Sequence, residues 1–179
     1  MNRDDDNPRE LAQHWRGAAA REDIRDALLR VYAVVASEVR ARGPACWASG
    51  RCCNFDRAGH RLYVTGLEAA FCVVNATAAP SEPATAPARA PVSLPVLTIA
   101  SVDASRERGD CPFLANNLCT AHAMKPLGCR IYFCDRSAQR WQEDLSERAL
   151  ADIRAIHDRF AIPYRYAEWR TMLAHLAES

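Results

Sequence analysis

Two long stretches of the chain carry apolar residues at helical spacing, and the region between them does not. Ile24, Leu28, Val31, Val35 and Val39 fall on one stripe, predicting an amphipathic helix that starts at Asp23 and ends at Gly43-Pro44. Upstream, Asn7-Pro8-Arg9-Glu10 has the form of a helix start: an Asn cap, a proline in the first turn and a glutamate three residues after the cap. Near the other end, Leu145, Ala149, Ile153, Ile156 and Phe160 form a second stripe, with Pro163 as its breaker. A last amphipathic helix carries Trp169, Met172, Leu173 and Leu176. Between the helices the elements are short. Arg61–Thr65 reads as a strand after an Asp56–Gly59 turn, and Thr65-Gly66-Leu67-Glu68 is a capping box opening a helix through about Val74. Val96–Ile99 reads as another strand. Asn116-Asn117 is a turn between the apolar runs Pro112–Leu114 and Leu118-Cys119, and Lys125–Gly128 is a further break. The fold class expected is α+β and mainly helical: a small loop-rich core with short strands, flanked by N- and C-terminal amphipathic helices.

Composition adds one interruption. Residues 79–95 hold five prolines among alanines, which removes backbone donors and favours extended, solvated chain. This reads as a flexible insert within a single domain spanning residues 1–179. Lysine plus arginine number 23 against 22 acidic residues, so the basic excess of a nucleic-acid or membrane-surface protein is missing. The polar opening, Met1–Asp6, lacks the apolar segment of a secretory signal, and no apolar run approaches the ~18 residues of a membrane span. Eight cysteines in such a chain point to reduced thiols and metal in the cytoplasm, and not to a disulfide framework.

Seven of the eight lie in two loop-rich segments: Cys46, Cys52 and Cys53, then Cys111, Cys119, Cys129 and Cys134. Thiolates are soft donors for zinc, copper(I) and iron–sulfur clusters, and four suffice for one site. Folding the Asn116-Asn117 turn would bring Cys111 and Cys119 together. The eighth, Cys72, sits among Ala69, Ala70, Phe71 and Val73 and reads as a small core hydrophobe. His157 and His175 read as ordinary helical residues. Only one pair, Cys129 and Cys134 at C-x4-C, comes near the C-x2-4-C knuckles of structural zinc sites, whereas iron–sulfur clusters accept wider spacings, and Cys111-Pro112 has the Cys-Pro form of ferredoxin-type sites. The spacing therefore favours an iron–sulfur cluster over a zinc or iron ion. Arg130, and with it Lys125, is placed to offset thiolate charge beside the cofactor. Vicinal Cys52-Cys53 could alternatively form a redox pair, with His60 the one candidate base nearby.

The pairing of C-x5-C-C with C-P-F-L-x4-C-x9-C-R-x3-C resembles the zinc- or iron-chelating cysteine-cluster family often called YkgJ-like. That family is similar in pattern to the cysteine region of flagellin lysine N-methylases. The likeness covers about residues 46–135, through the seven cysteines together with Pro112-Phe113-Leu114, Lys125-Pro126 and Arg130. The chain departs from it at Ala121-His122, where the family usually has Ile-Tyr, and at Lys125, where it usually has Arg. The resemblance implies metal binding and no settled reaction. The expectation is thus a metal-binding protein serving electron transfer, metal handling or a partner enzyme, with a protein partner but no nucleic acid and no membrane. Two alternatives stand beside it: a metal-dependent enzyme related to protein lysine N-methylation, and a structural zinc interaction module. Against the enzyme, the chain has no glycine-rich nucleotide loop; its seven glycines are scattered.

Overall fold

A computed structural model describes residues 7–44, 49–76, 97–133 and 139–177. The 79–95 insert, Cys46 and Cys134 lie outside the described residues. Helix α1 (Pro8–Ala20) begins where the sequence places it, with the Asn7 side chain accepting from the Arg9 amide. Helix α2 (Glu22–Arg42) buries Ile24, Leu28 and Val35 and stops at Gly43, whose φ of 57° only glycine adopts without strain. A 3-10 turn (Arg51–Cys53) and the short α3 (Phe55–Ala58) lead into β1 (Tyr63–Thr65) and α4 (Gly66–Ala76). After the insert come α5 (Ile99–Arg108), the hairpin β2 (Leu114–Ala115) and β3 (Leu118–Cys119), a 3-10 turn (His122–Met124) and α6 (Leu127–Ile131). The chain closes with α7 (Gln139–Arg159), β4 (Tyr166–Glu168) and α8 (Trp169–Ala177). The architecture is mainly helical α+β, with two small antiparallel sheets, β1–β4 and β2–β3. No helix among the described residues is long and apolar enough to cross a membrane.

Helix α4 is the centre of the packing. It lies against α1 and α8, while α2 runs along α7. Its first residue, Gly66, is small for a reason: a Cβ there would enter the ring of Trp15, which is fully buried in α1. The same indole donates from Nε1 to the Pro163 carbonyl at 2.8 Å, tying α1 to the turn after α7. Strands β1 and β4 pair Val64 with Ala167, which puts α8 immediately behind the strand that opens α4.

One element differs from the sequence reading. Thr98 and Ile99 do not form a strand; Thr98 caps α5, accepting from the Ser101 amide at 3.1 Å while Ser101 Oγ accepts from the Thr98 amide at 3.0 Å. This reciprocal cap costs the backbone nothing in sheet pairing and satisfies two helix-end donors, so it outweighs a short apolar run. The Asp56–Gly59 turn is a single helical turn closed by Gly59.

His157, on the inner face of α7, is buried, and its Nδ1 lies 3.2 Å from the Ile162 carbonyl. Burial pulls its pKa below the usual histidine value. The unfolded chain therefore binds a proton near pH 6.5 that the folded chain refuses, and stability falls as the pH drops through that region. The loss is at most about 1.4 kcal/mol per pH unit from this one group. His157→Gln, which keeps a donor for Ile162 but cannot charge, should lose less stability than wild type between pH 7.5 and 5.5 in urea unfolding. An equal loss would contradict the assignment.

Candidate metal centre

The two cysteine segments meet edge to edge. The Cys111 amide donates to the Cys53 carbonyl at 2.8 Å, and two turns away the Asp56 amide donates to the Gly109 carbonyl at 3.0 Å. Gly50, at φ 69°, lets the first segment pass over the β2–β3 turn; a Cβ there would stand 2.9 Å from Asn117 Cα. That turn is built by Asn116 and Asn117, both left-handed at φ 51° and 62°, the conformation a two-residue hairpin needs and asparagine tolerates. It pairs Leu114 with Cys119, and so folds Cys119 back toward Cys111 as the turn signal implies.

Sulfur meets sulfur in consequence. Cys52 and Cys53 Sγ are 4.0 Å apart. The Cys53 thiol also interacts with the sulfurs of Cys111 and Cys119, which with that of Cys52 raise its pKa, helped by burial. The reciprocal effect lowers Cys52 and Cys119: the Cys53 proton favours their thiolates, with Lys125 adding to the effect on both. Cys53 and Cys111 are buried, Cys119 is half-buried and Cys52 is exposed. The Trp169 indole, fully buried at the start of α8, donates to Cys111 Sγ at 3.3 Å. Cys129, on α6, is held up by burial and by its charged neighbours, foremost Cys111 and Cys119. Cys53 is thus the thiol that interacts with cysteines of both segments: with Cys52 beside it and with Cys111 and Cys119 across the seam. Among the described residues no three His, Cys, Asp or Glu side chains form a ready-made ion site. Coordination of a metal by Cys53 requires its thiol to lose the proton.

Basic groups border the cluster. Arg130 lays its guanidinium over the Tyr32 ring at 3.9 Å and donates from Nη2 to the Ala123 carbonyl at 2.9 Å, while its Nε is buried without a partner among the described residues. Burial lowers its pKa, and no carboxylate forms a salt bridge with it among the described residues. Lys125 Nζ lies 3.0 Å from His122 Nε2. Burial, Lys125 and Arg130 lower the His122 pKa, which favours the neutral ring. Arg130 beside the Cys129 thiol, and Lys125 acting on Cys52 and Cys119, fit a donor set meant to carry negative charge.

His60 lies at the edge of the cluster, in the cavity that Cys52 also lines. Its ring stacks on Tyr132 at 4.4 Å and meets Phe55 edge-on, and no hydrogen bond to a cysteine sulfur joins it among the described residues. It lines a cavity of about 560 Å³, together with Cys52, Cys129 and the stacked pair Tyr63 and Tyr166, which opens the cluster to solvent.

Cys72 is 1% exposed in α4, and burial pushes its thiol pKa up. Its packing is that of a core residue. Cys72→Ser should cost about 1–3 kcal/mol for a buried hydroxyl and leave metal stoichiometry unchanged. Loss of metal in this variant, measured by elemental analysis, would move Cys72 into the ligand set. Trp169, Tyr32 and Glu68 border the site and were not legible as such, since each sits inside an ordinary apolar stripe or cap. No protein family, curated protein or solved structure matches the chain.

Proposed function

We propose that the chain is a metal-binding protein whose centre is held by cysteines drawn from both segments, Cys46, Cys52 and Cys53 with Cys111, Cys119, Cys129 and Cys134. The carrying observation is the pair of backbone hydrogen bonds, Cys111 to Cys53 and Asp56 to Gly109, that brings the two cysteine segments together beside the Cys52–Cys53 sulfur pair. Four thiolates around a divalent ion, or around a cubane cluster in its resting state, leave a charge of about −2. Arg130 and Lys125 supply the matching positive charge, and the indole of Trp169 supplies a hydrogen bond to sulfur of the kind that tunes such centres. The resemblance to the cysteine-cluster family points the same way. Electron transfer, metal handling or support of a partner enzyme are the uses this chemistry suits.

Spacing favours an iron–sulfur cluster. The Cys52–Cys53 separation of 4.0 Å favours a second reading, a single ion, because a tetrahedron with metal–sulfur bonds of about 2.3 Å has edges near 3.8 Å. The absorption spectrum of anaerobically purified protein tests both. A cluster gives broad visible absorption that bleaches on reduction, with acid-labile sulfide equal to iron. A single site gives a colourless zinc protein that acquires intense thiolate-to-metal bands when cobalt(II) replaces zinc. A protein that binds neither iron, zinc nor cobalt would end the proposal.

A further inference from the structure

Glu68 is 1% exposed, and the capping box accounts for only part of its bonding. Its Oε2 accepts from the Thr65 amide at 3.0 Å and the Thr65 hydroxyl at 3.0 Å, as a helix cap should. Its Oε1 does something a cap does not require. It accepts from the Leu127 amide at 2.8 Å and from the Tyr32 hydroxyl at 3.3 Å, reaching two elements far away in sequence. Leu127 is the first residue of α6, the five-residue helix that carries Cys129 and Arg130. Pro126, its cap, has no side chain able to accept a hydrogen bond, so Glu68 takes the place of a capping group for that helix. Tyr32, the other partner, is the ring on which the Arg130 guanidinium lies. All four partners donate, and two of them are backbone amides that can only donate. An ionised carboxylate accepts four such bonds, whereas a protonated one would turn one oxygen into a competing donor.

Resting on the metal-centre reading above, we infer that Glu68 is a positioning residue of the cysteine site: one buried carboxylate fixes the backbone that presents Cys129 and, through Tyr32, seats Arg130 beside the sulfurs. A five-residue helix cannot hold its own geometry in water, because nucleation costs more than so few bonds return. The orientation of Cys129 is therefore imposed from outside α6. Helix α4 is the most buried element bordering the site, and a carboxylate anchored by its own cap at Thr65 is a rigid point from which to impose it. The same carboxylate accepts from the Tyr32 hydroxyl while Arg130 lies over the Tyr32 ring, so its negative charge stands near the cation and favours the cation staying there.

The test uses the full chain with Glu68→Gln and, in parallel, Tyr32→Phe, each checked for native melting behaviour. In the metal-free proteins, hydrogen exchange of the 127–131 segment and the rate of Cys129 alkylation by iodoacetamide are followed by mass spectrometry. Glu68→Gln should raise exchange there by about ten- to a hundredfold, the effect of losing a bond to a charged group, and speed Cys129 labelling, with Cys72 labelling unchanged. With cobalt(II) as probe, its affinity should fall about ten- to a hundredfold and the ligand-field bands should shift. Tyr32→Phe keeps the ring under Arg130 and the bond to Leu127, so it should leave exchange at 127–131 near wild type and weaken cobalt binding only a few-fold. Should Glu68→Gln fail to fold, Tyr32→Phe decides: cobalt bands and affinity identical to wild type would overturn the link to Arg130. Exchange, labelling and cobalt affinity all within twofold of wild type in Glu68→Gln would overturn the inference. Wild-type protein that binds no cobalt, iron or zinc would instead refute the metal reading, while the exchange and labelling arms still judge Glu68.

Discussion

Replacing Cys53 with serine should abolish metal binding while leaving the fold standing. The Cys53 carbonyl accepts from the Cys111 amide, its sulfur lies 4.0 Å from that of Cys52, and the residue is 6% exposed. Serine is nearly isosteric and can hydrogen-bond to the neighbouring sulfurs, so the helical core has no reason to collapse. As a ligand it fails twice. Its hydroxyl does not ionise near neutral pH, and the hard oxygen is a poor match for a site of soft donors. Metal content should drop by about tenfold or more, with far-ultraviolet circular dichroism unchanged. Cys111→Ser should act in the same direction and leave the Trp169 N–H facing a poorer acceptor. A Cys53→Ser protein that retains wild-type metal stoichiometry would remove Cys53 from the ligand set.

The largest effect on stability should come from Trp15→Ala. Trp15 is 0% exposed, packs flat on Gly66 and donates to the Pro163 carbonyl at 2.8 Å. Removing the indole leaves a cavity between α1 and α4 that glycine at 66 cannot fill, and it leaves a carbonyl without its donor. Large aromatic truncations of this kind cost about 3–5 kcal/mol, against a total stability of about 5–15 kcal/mol for an ordinary domain. The urea midpoint should fall by about a third or more. Because β1 leads directly into Gly66, the β1–β4 pairing should loosen with it. A midpoint within about a tenth of wild type would mean that α1 is not part of the cooperative core.

Helices α1, α2, α4, α7 and α8 were legible because each carries a 3.6-residue apolar stripe or a recognisable cap, and α2 and α7 also meet a glycine or proline stop. Asn116-Asn117 was legible for a different reason: two asparagines in succession tolerate the left-handed turn that a tight hairpin demands. The helix at Ile99–Arg108 was missed because its signal is not periodicity but the Thr98–Ser101 cap, where serine stands in for the more familiar glutamate. At the site, spacing exposed which residues were cysteines worth grouping but not which sulfur would be central, since that depends on the Cys111–Cys53 backbone bond between distant segments. Glu68 was read correctly as a cap and incompletely as anything more. Its second oxygen acts through Tyr32 and Leu127, and no local pattern encodes partners so far along the chain.

The central claim is most directly tested by counting metal and free thiols on the same anaerobically purified sample. The account predicts a fixed metal equivalent per chain, iron matched by sulfide or zinc alone, with at least four cysteines protected from alkylation until a chelator or acid releases the metal. Metal-free protein in which Cys52, Cys119 and Cys129 label as readily before chelator treatment as after it would contradict the account.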